Sequence, residues 1–186
     1  MKIIEAYVPI SQFTRTGKKL KEFRGIVIHY PEWPNGSAKK IIDDNTMIPK
    51  INAKLPPEKF KFASFNEVID LNGDIYLTVP EDEMCYHVGS NSYSELIRTR
   101  LNNRYPNLYL YGIEATHIDK EGRMTDETFD SLVKRCAYLL KKYSLTVNEL
   151  YRHFDITGKR CPLWFVTNYG EWIQFKKLVD SEMRKI

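Results

Sequence analysis

The chain has 186 residues, 42% of them hydrophobic and 13% aromatic, which fits a folded domain with its own core and excludes a disordered polymer. No apolar run approaches the roughly 20 residues of a membrane span, so no stable membrane insertion is expected. The net charge of +4 is unevenly spread, with 11 basic and 6 acidic side chains in residues 1–60, 6 and 13 in residues 61–130, and 11 and 5 in residues 131–186. Such a pattern reads first as solvated faces, although an anionic polymer could meet the basic segments. No nucleic-acid partner is expected.

Residues 1–24 read as a basic lead-in, in which Gln12 to Lys21 has loop character. Glu5 and Pro9 break the N-terminal apolar residues, so a secretion signal is not expected there. Ile26, Val27 and Ile28 then form a short buried strand that ends at His29. Pro31, Pro34, Asn35 and Gly36 break the chain just beyond it and predict a loop that walls a cleft. Ser37 can cap a helix over Ala38–Thr46, with an irregular stretch from Pro49 to Pro57. Two β-prone runs, 64–70 and 74–79, flank Asn72-Gly73, which is a strong hairpin signal.

Glu95 to Arg104 is polar and partly helical, and Leu108–Ile118 reads as another strand. Thr125 caps the clearest helix, in which Phe129, Leu132, Val133, Cys136, Leu139, Leu140 and Tyr143 recur at helical spacing. Thr146 and Glu149 make a capping-box pattern for a short turn before Tyr151. Asn168 and Glu171 repeat that pattern ahead of a final amphipathic helix ending near Met183. Strands mixed with covering helices predict an α/β domain, with one domain over residues 1–186 and no repeat. The three cysteines are an odd number, which argues against a disulfide framework and predicts buried free thiols at Cys136 and Cys85.

Cys161 is set apart by its neighbours. In Tyr151–Pro162, His153 and Cys161 stand eight residues apart, with Lys159 two residues before the cysteine. Gly158 permits a sharp turn, and Pro162 restricts the residue before it, so both side chains can converge on one point. Imidazole nitrogen and thiolate sulfur are the donors Zn²⁺ favours. A third donor is needed, and His29, held at the carboxyl end of a central strand, is the best candidate. Two histidines and one thiolate leave one tetrahedral position for water, the pattern of a catalytic rather than a closed structural site. A closed site would add a fourth protein ligand, such as Cys85.

The strand ending in His29, followed by the distant His153, Lys159 and Cys161, resembles the zinc N-acetylmuramoyl-L-alanine amidases of type 2. These share a fold with peptidoglycan recognition proteins and short phage lysins. The resemblance runs from about Gly25 to the C-terminus, and its specific part is the His-Lys-Cys loop. It implies a central mixed sheet flanked by helices, a Zn²⁺ cofactor, and bacterial peptidoglycan as the partner. The bond cleaved would be the amide between N-acetylmuramic acid and L-alanine.

Gly112-Ile113-Glu114 matches the family's Gly-Ile-Glu strand, which makes Glu114 the expected proton shuttle. Lys159 would add positive charge beside the developing oxyanion. Tyr30 and Trp33 would offer aromatic faces to sugar rings. The segment before Gly89 matches a cleft-lining aromatic-His-x-Gly pattern, which places His87 in the groove. Where the family often has a tyrosine before the hairpin, this chain has Phe65, so no role of a hydroxyl carries over. His117 is expected outside the site, because its strand alternation points it to the other face.

The second reading is a recognition protein that binds wall fragments without cleaving them. Such proteins commonly lack the cysteine ligand, so Cys161 favours the enzyme. A regulatory protein-binding role is a third reading, for which the sequence discloses no surface. The resemblance further implies a phage or prophage lysin, made in the host cytoplasm and reaching the wall through a membrane lesion. A catalytic piece of a longer chain with a separate wall-binding domain, and a natural single-domain form, are the two expectations for its organisation.

Overall fold

The apolar run Ile26–His29 becomes strand β2, buried along its whole length in the computed structural model, which describes residues 2–186. It lies near one side of a six-stranded sheet. The strands are β1 (Ile3–Glu5), β2, β3 (Glu67–Ile69), β4 (Ile75–Leu77), β5 (Tyr111–Ala115) and β6 (Leu150–Arg152), in the order β1-β4-β3-β5-β2-β6. β2 runs parallel to both β5 and β6, and β5 runs parallel to β3. β4 turns back antiparallel to β3, and β1 follows β4 in parallel. The sheet is therefore mixed, and its central strands are covered on both faces, which is why β2 reads as a continuous apolar run.

Ile26, Ile28, Ile69, Tyr111, Ile113 and Ala115 pack on one face against α3 (Asp126–Lys142) and α6 (Tyr169–Met183). On the other face Val68 meets Ala38, Ile41 and Phe65 under α1 (Ala38–Asn52), while Val27 joins Val88, Ile97 and Leu110 beside α2 (Glu95–Arg100). Alternation along the strands puts His29 on the same side as Val27, and Glu114 on the same side as Gly112. The register pairs His29 directly with Glu114 on neighbouring parallel strands. The site is thus set by two strand ends.

The hairpin forms at Asn72-Gly73, where Gly73 takes the left-handed φ of 79° that the turn requires. The Thr125 cap forms, with its side chain accepting from Thr128 N. The Thr146–Glu149 capping box also forms, on a single 3₁₀ turn. Cys85 and Cys136 are buried free thiols.

Several expectations are corrected. α1 continues six residues past Thr46 and through Pro49. Pro49 forgoes one helical bond, but Asn45 donates to Ala63 O, and Asn52 exchanges two bonds with Lys61, so tertiary anchors hold the last turns. The lead-in also contributes an edge strand, Ile3–Glu5, beside β4. Leu150–Arg152 adds the opposite edge. The expected strand 108–118 is shorter, since Pro106–Leu108 forms a 3₁₀ turn ahead of β5. Asn168 does not cap α6; its side chain turns back to Trp164 O and Thr167 Oγ1, at the end of the short helix α5 (Leu163–Thr167).

Candidate metal centre

His29 closes β2, and His153 opens α4 (His153–Thr157), immediately after β6. Gly158 ends that helix at a φ of 81°, and the returning chain brings Cys161 back to the histidines. Phe154 N donates to Cys161 O at 3.0 Å, which pins the two ends of this loop together. His29 Nδ1 stands 3.1 Å from His153 Nδ1 and 3.9 Å from Cys161 Sγ. The three donor atoms lie within 4.8 Å of one another, and all three residues are buried. Around a tetrahedral zinc, such donors stand about 3.3 to 3.7 Å apart. The donor set therefore fits Zn²⁺ in both chemistry and spacing. Cys85 lies apart from it, packed with Val8 and Val79, and does not close the set.

Burial governs the charge of this cluster. It pushes His29 well below the usual histidine range, helped by His153 and His87. It pushes His153 down to about 3, with His87 and Lys159 adding to the effect. Neutral rings are the form that ligates. Burial, with Glu114 nearby, drives the Cys161 thiol up to about 12, against the pull of the Tyr30 backbone N–H and of Lys159. A cation among the three donors would reverse that penalty and hold the thiolate.

Glu114 is the other ionisable group here. Burial raises it to about 7; Lys159 pulls it down and Glu32 pushes it up. Its Oε2 is sealed from solvent without a hydrogen-bond partner. An unpaired buried carboxyl oxygen is costly to keep.

Lys159 is half exposed and sits 3.4 Å from Glu32. It acts on Glu114, Cys161 and both histidines by its charge, without bonding any of them. Tyr30 is partly buried, and its ring packs on His117 at 5.0 Å. Trp33 is 43% exposed on the loop after β2, with its ring lying over Gly36, where any Cβ would come within 2.5 Å of Nε1. Phe65, at the position of the family tyrosine, is buried against α1.

His87 is not on the groove wall, and that expectation is corrected. Its ring is 9% exposed, and both nitrogens are engaged inside the protein. Nδ1 meets His29 Nε2 at 2.9 Å, and Nε2 meets Leu110 O at 2.9 Å.

His117 lies outside the donor cluster. Its ring nitrogens contact Pro31 O and Asp119 O, each at 2.7 Å, and tie the loop after β2 to the loop after β5. Neither this tie nor the Tyr30 N–H to Cys161 was foreseeable from spacing, because both depend on loop paths. Glu32, one residue from the prolines that mark the loop, gave only a turn signal.

An α/β domain that gathers two imidazoles and a thiol from distant parts of its chain, at and beyond the ends of two neighbouring parallel strands, is a distinctive class of fold and site. The family described as N-acetylmuramoyl-L-alanine amidase matches residues 19–164, and the chain belongs to it. The amidase CwlL of Bacillus licheniformis is 28% identical over 183 residues, covering 97% of this chain and 47% of that protein. The amidase BlyA of Bacillus subtilis strain 168 is 26% identical over 187 residues, covering 96% and 47%. The chain thus spans about half the length of the curated relatives it matches.

Among solved structures, PlyL superposes with a TM-score of 0.73 at 17% identity, over 98% of this chain and 99% of that one. A selenomethionine derivative of AmpD gives 0.64 at 19% identity, over 95% and 94%. These likenesses establish the fold, a mixed sheet flanked by helices as the resemblance implied.

Proposed function

We propose that this domain is a zinc-dependent amidase that cleaves the bond between the lactyl group of N-acetylmuramic acid and L-alanine in bacterial peptidoglycan. The observation that carries the reading is the convergence of His29, His153 and Cys161 beside an unpaired Glu114, in a chain of the amidase family. Zinc held by the three side chains would lower the pKa of a water to roughly 7 and polarise the scissile carbonyl.

The protein supplies the rest. Glu114, raised to about 7, can take a proton from the attacking water on its carboxylate and return it to the departing amine nitrogen of L-alanine. A carboxyl near neutrality is suited to both directions of that transfer. Lys159 brings a mobile positive charge towards the oxyanion, and its present partner Glu32 is exposed enough to release it. Tyr30 and Trp33 offer ring faces along the loop after β2, where glycan would lie.

The relatives support the wall as the place of action, and one solved neighbour is titled an endolysin from Bacillus subtilis. We read this chain in the same way, as the catalytic domain of a phage or prophage lysin. A wall-binding part, where a lysin has one, is a separate unit from the domain described here. No helix among the described residues is long and apolar enough to cross a membrane. As a lysin it would reach the wall through a membrane lesion made by another agent.

The test follows new N-terminal L-alanine amines released from purified peptidoglycan. It compares protein as isolated, after chelation, and after zinc is restored, with Cys161→Ser alongside. Release that chelation stops, zinc restores and the variant lacks is the expected result. Bound zinc with no amine on several wall types, while fragments still bind, would replace the amidase with a recognition protein.

A further inference from the structure

His87 is the one buried histidine in contact with the donor cluster that the proposed chemistry leaves without a task. It sits in the irregular segment between β4 and α2, which has no sheet ladder to hold it. Two backbone bonds hold it instead, from His87 N and Val88 N to Asn107 Oδ1, at 3.2 and 3.0 Å. Asn107 is itself fully buried and donates to Tyr105 Oη at 2.7 Å. The ring lies flat on β5 at Gly112. A Cβ at that glycine would come 2.7 Å from His87 Cγ and 2.8 Å from Nδ1, closer than side-chain atoms pack.

The hydrogen-bond chain through this ring has one consistent reading. The Leu110 carbonyl can only accept, so the proton of His87 is on Nε2. The ring is buried and neither of its nitrogens meets a carboxylate, so it is held as the neutral imidazole with a single N–H. Nδ1 is then a bare acceptor, and the group facing it at 2.9 Å is His29 Nε2. His29 must donate there. Its Nδ1 is left with a free lone pair, and that is the atom beside His153 Nδ1 and Cys161 Sγ. A backbone carbonyl just ahead of β5 thus dictates, through two rings, which nitrogen of the histidine on neighbouring β2 is free to ligate.

We infer that His87 is a positioning residue that fixes His29 in the Nε2–H tautomer and aims its Nδ1 lone pair at the cation position. Gly112 belongs to the same device as the gap that admits the ring. The inference rests on the reading of His29, His153 and Cys161 as metal ligands. Partners of this kind orient ligating imidazoles and raise their basicity, and their loss typically weakens metal binding about 10- to 100-fold.

Two measurements decide it, and neither uses peptidoglycan. The first is zinc affinity by competition with a chromophoric chelator, for the wild type, His87→Phe and His87→Gln. Phenylalanine fills the space but cannot accept a hydrogen bond, and glutamine restores an acceptor. His87→Phe should bind zinc about 10- to 100-fold more weakly, with His87→Gln recovering part of the loss. An affinity for His87→Phe within about twofold of wild type, in a folded variant, would overturn the inference.

The second measurement is the long-range ¹H–¹⁵N imidazole spectrum of the metal-free wild type. It needs no variant to fold. A His29 with its proton on Nε2 and a bare Nδ1 is required, and a proton on Nδ1 sinks the proposal. A wild type that binds no zinc at all would remove the metal-centre reading instead, while this spectrum still decides the role of His87.

Discussion

Glu67, fully buried, and Glu114, partly buried, lie on adjacent parallel strands and face opposite sides of one sheet. In the register Glu67 stands opposite Ile113, and Val68 opposite Glu114. On the helix-covered face, Glu67 Oε2 accepts from Tyr111 Oη and from Arg135 Nε, both at 2.9 Å. Arg135 projects from α3 and reaches on to Glu81. Each glutamate keeps one buried oxygen without a partner, Glu67 Oε1 and Glu114 Oε2, but on the other face Glu114 has no ion pair. Burial raises both carboxyls, but near Glu67 a buried, hydrogen-bonded guanidinium opposes the rise, while near Glu114 the opposing lysine is half exposed and bonds Glu32 instead. The first arrangement holds a helix to a sheet. The second leaves a carboxyl free to exchange a proton. Burial alone does not distinguish the two roles; the partner does.

The comparison predicts opposite responses to substitution. Glu114→Gln should lower amide-bond turnover about 10²- to 10⁴-fold, the usual share of a general acid–base, while leaving the melting temperature unchanged or higher. Wild-type turnover in that variant would remove Glu114 from the chemistry.

Arg135→Ala should do the reverse. It leaves Glu67 as a buried uncompensated charge and should cost about 3–5 kcal/mol in urea unfolding. Replacing both partners, as in Glu67→Gln with Arg135→Met, should recover most of that loss. A loss below about 1 kcal/mol for Arg135→Ala would mean the pair is not what holds α3 to the sheet.

The third contrast is in pH dependence, measured on metal-free protein. Glu114 has a folded value of about 7, against an ordinary 4.5. The folded state therefore binds its proton more tightly than the unfolded state does. Its contribution to stability is full below about pH 4.5 and is lost as the pH rises through about 7. The neutral histidines act in the opposite sense, so the difference between wild type and Glu114→Gln at each pH isolates the carboxyl. That difference should grow in favour of the variant by up to about 3 kcal/mol between those limits. A flat difference would show that Glu114 is not desolvated in solution.

The site's parts were legible in the sequence, and its wiring was not. His29 could be read because a histidine ending an apolar run is unusual, and His153 and Cys161 because a glycine and a proline frame them. Glu114 and Lys159 needed the family resemblance, since a lone glutamate or lysine carries no signal of its own. His87 was misplaced because its environment is made of groups without sequence identity, namely the Leu110 carbonyl and the empty space over Gly112.

The fold shows the same division. The central strands and the long helices follow from their hydrophobic pattern. β1 and β6 have three residues each, too few for any periodicity, and exist only because a neighbouring strand offers them a ladder. The extension of α1 past Pro49 is likewise a tertiary effect, held by asparagine bonds that no local propensity records.

The donor set also has a consequence for how the chain is held together. His29 and His153 are 124 residues apart in sequence, yet their ring nitrogens nearly touch. Any ion gripped by both closes most of the domain into a single ring, much as a long-range cross-link would. Closing so large a ring removes much of the freedom of the unfolded chain, and the cost of closure rises only slowly with its length. Such an ion would act as a buckle as well as a reagent. Its occupancy would set how readily the strand carrying His29 separates from the strand leading into His153, the same pairing that brings the reactive groups together.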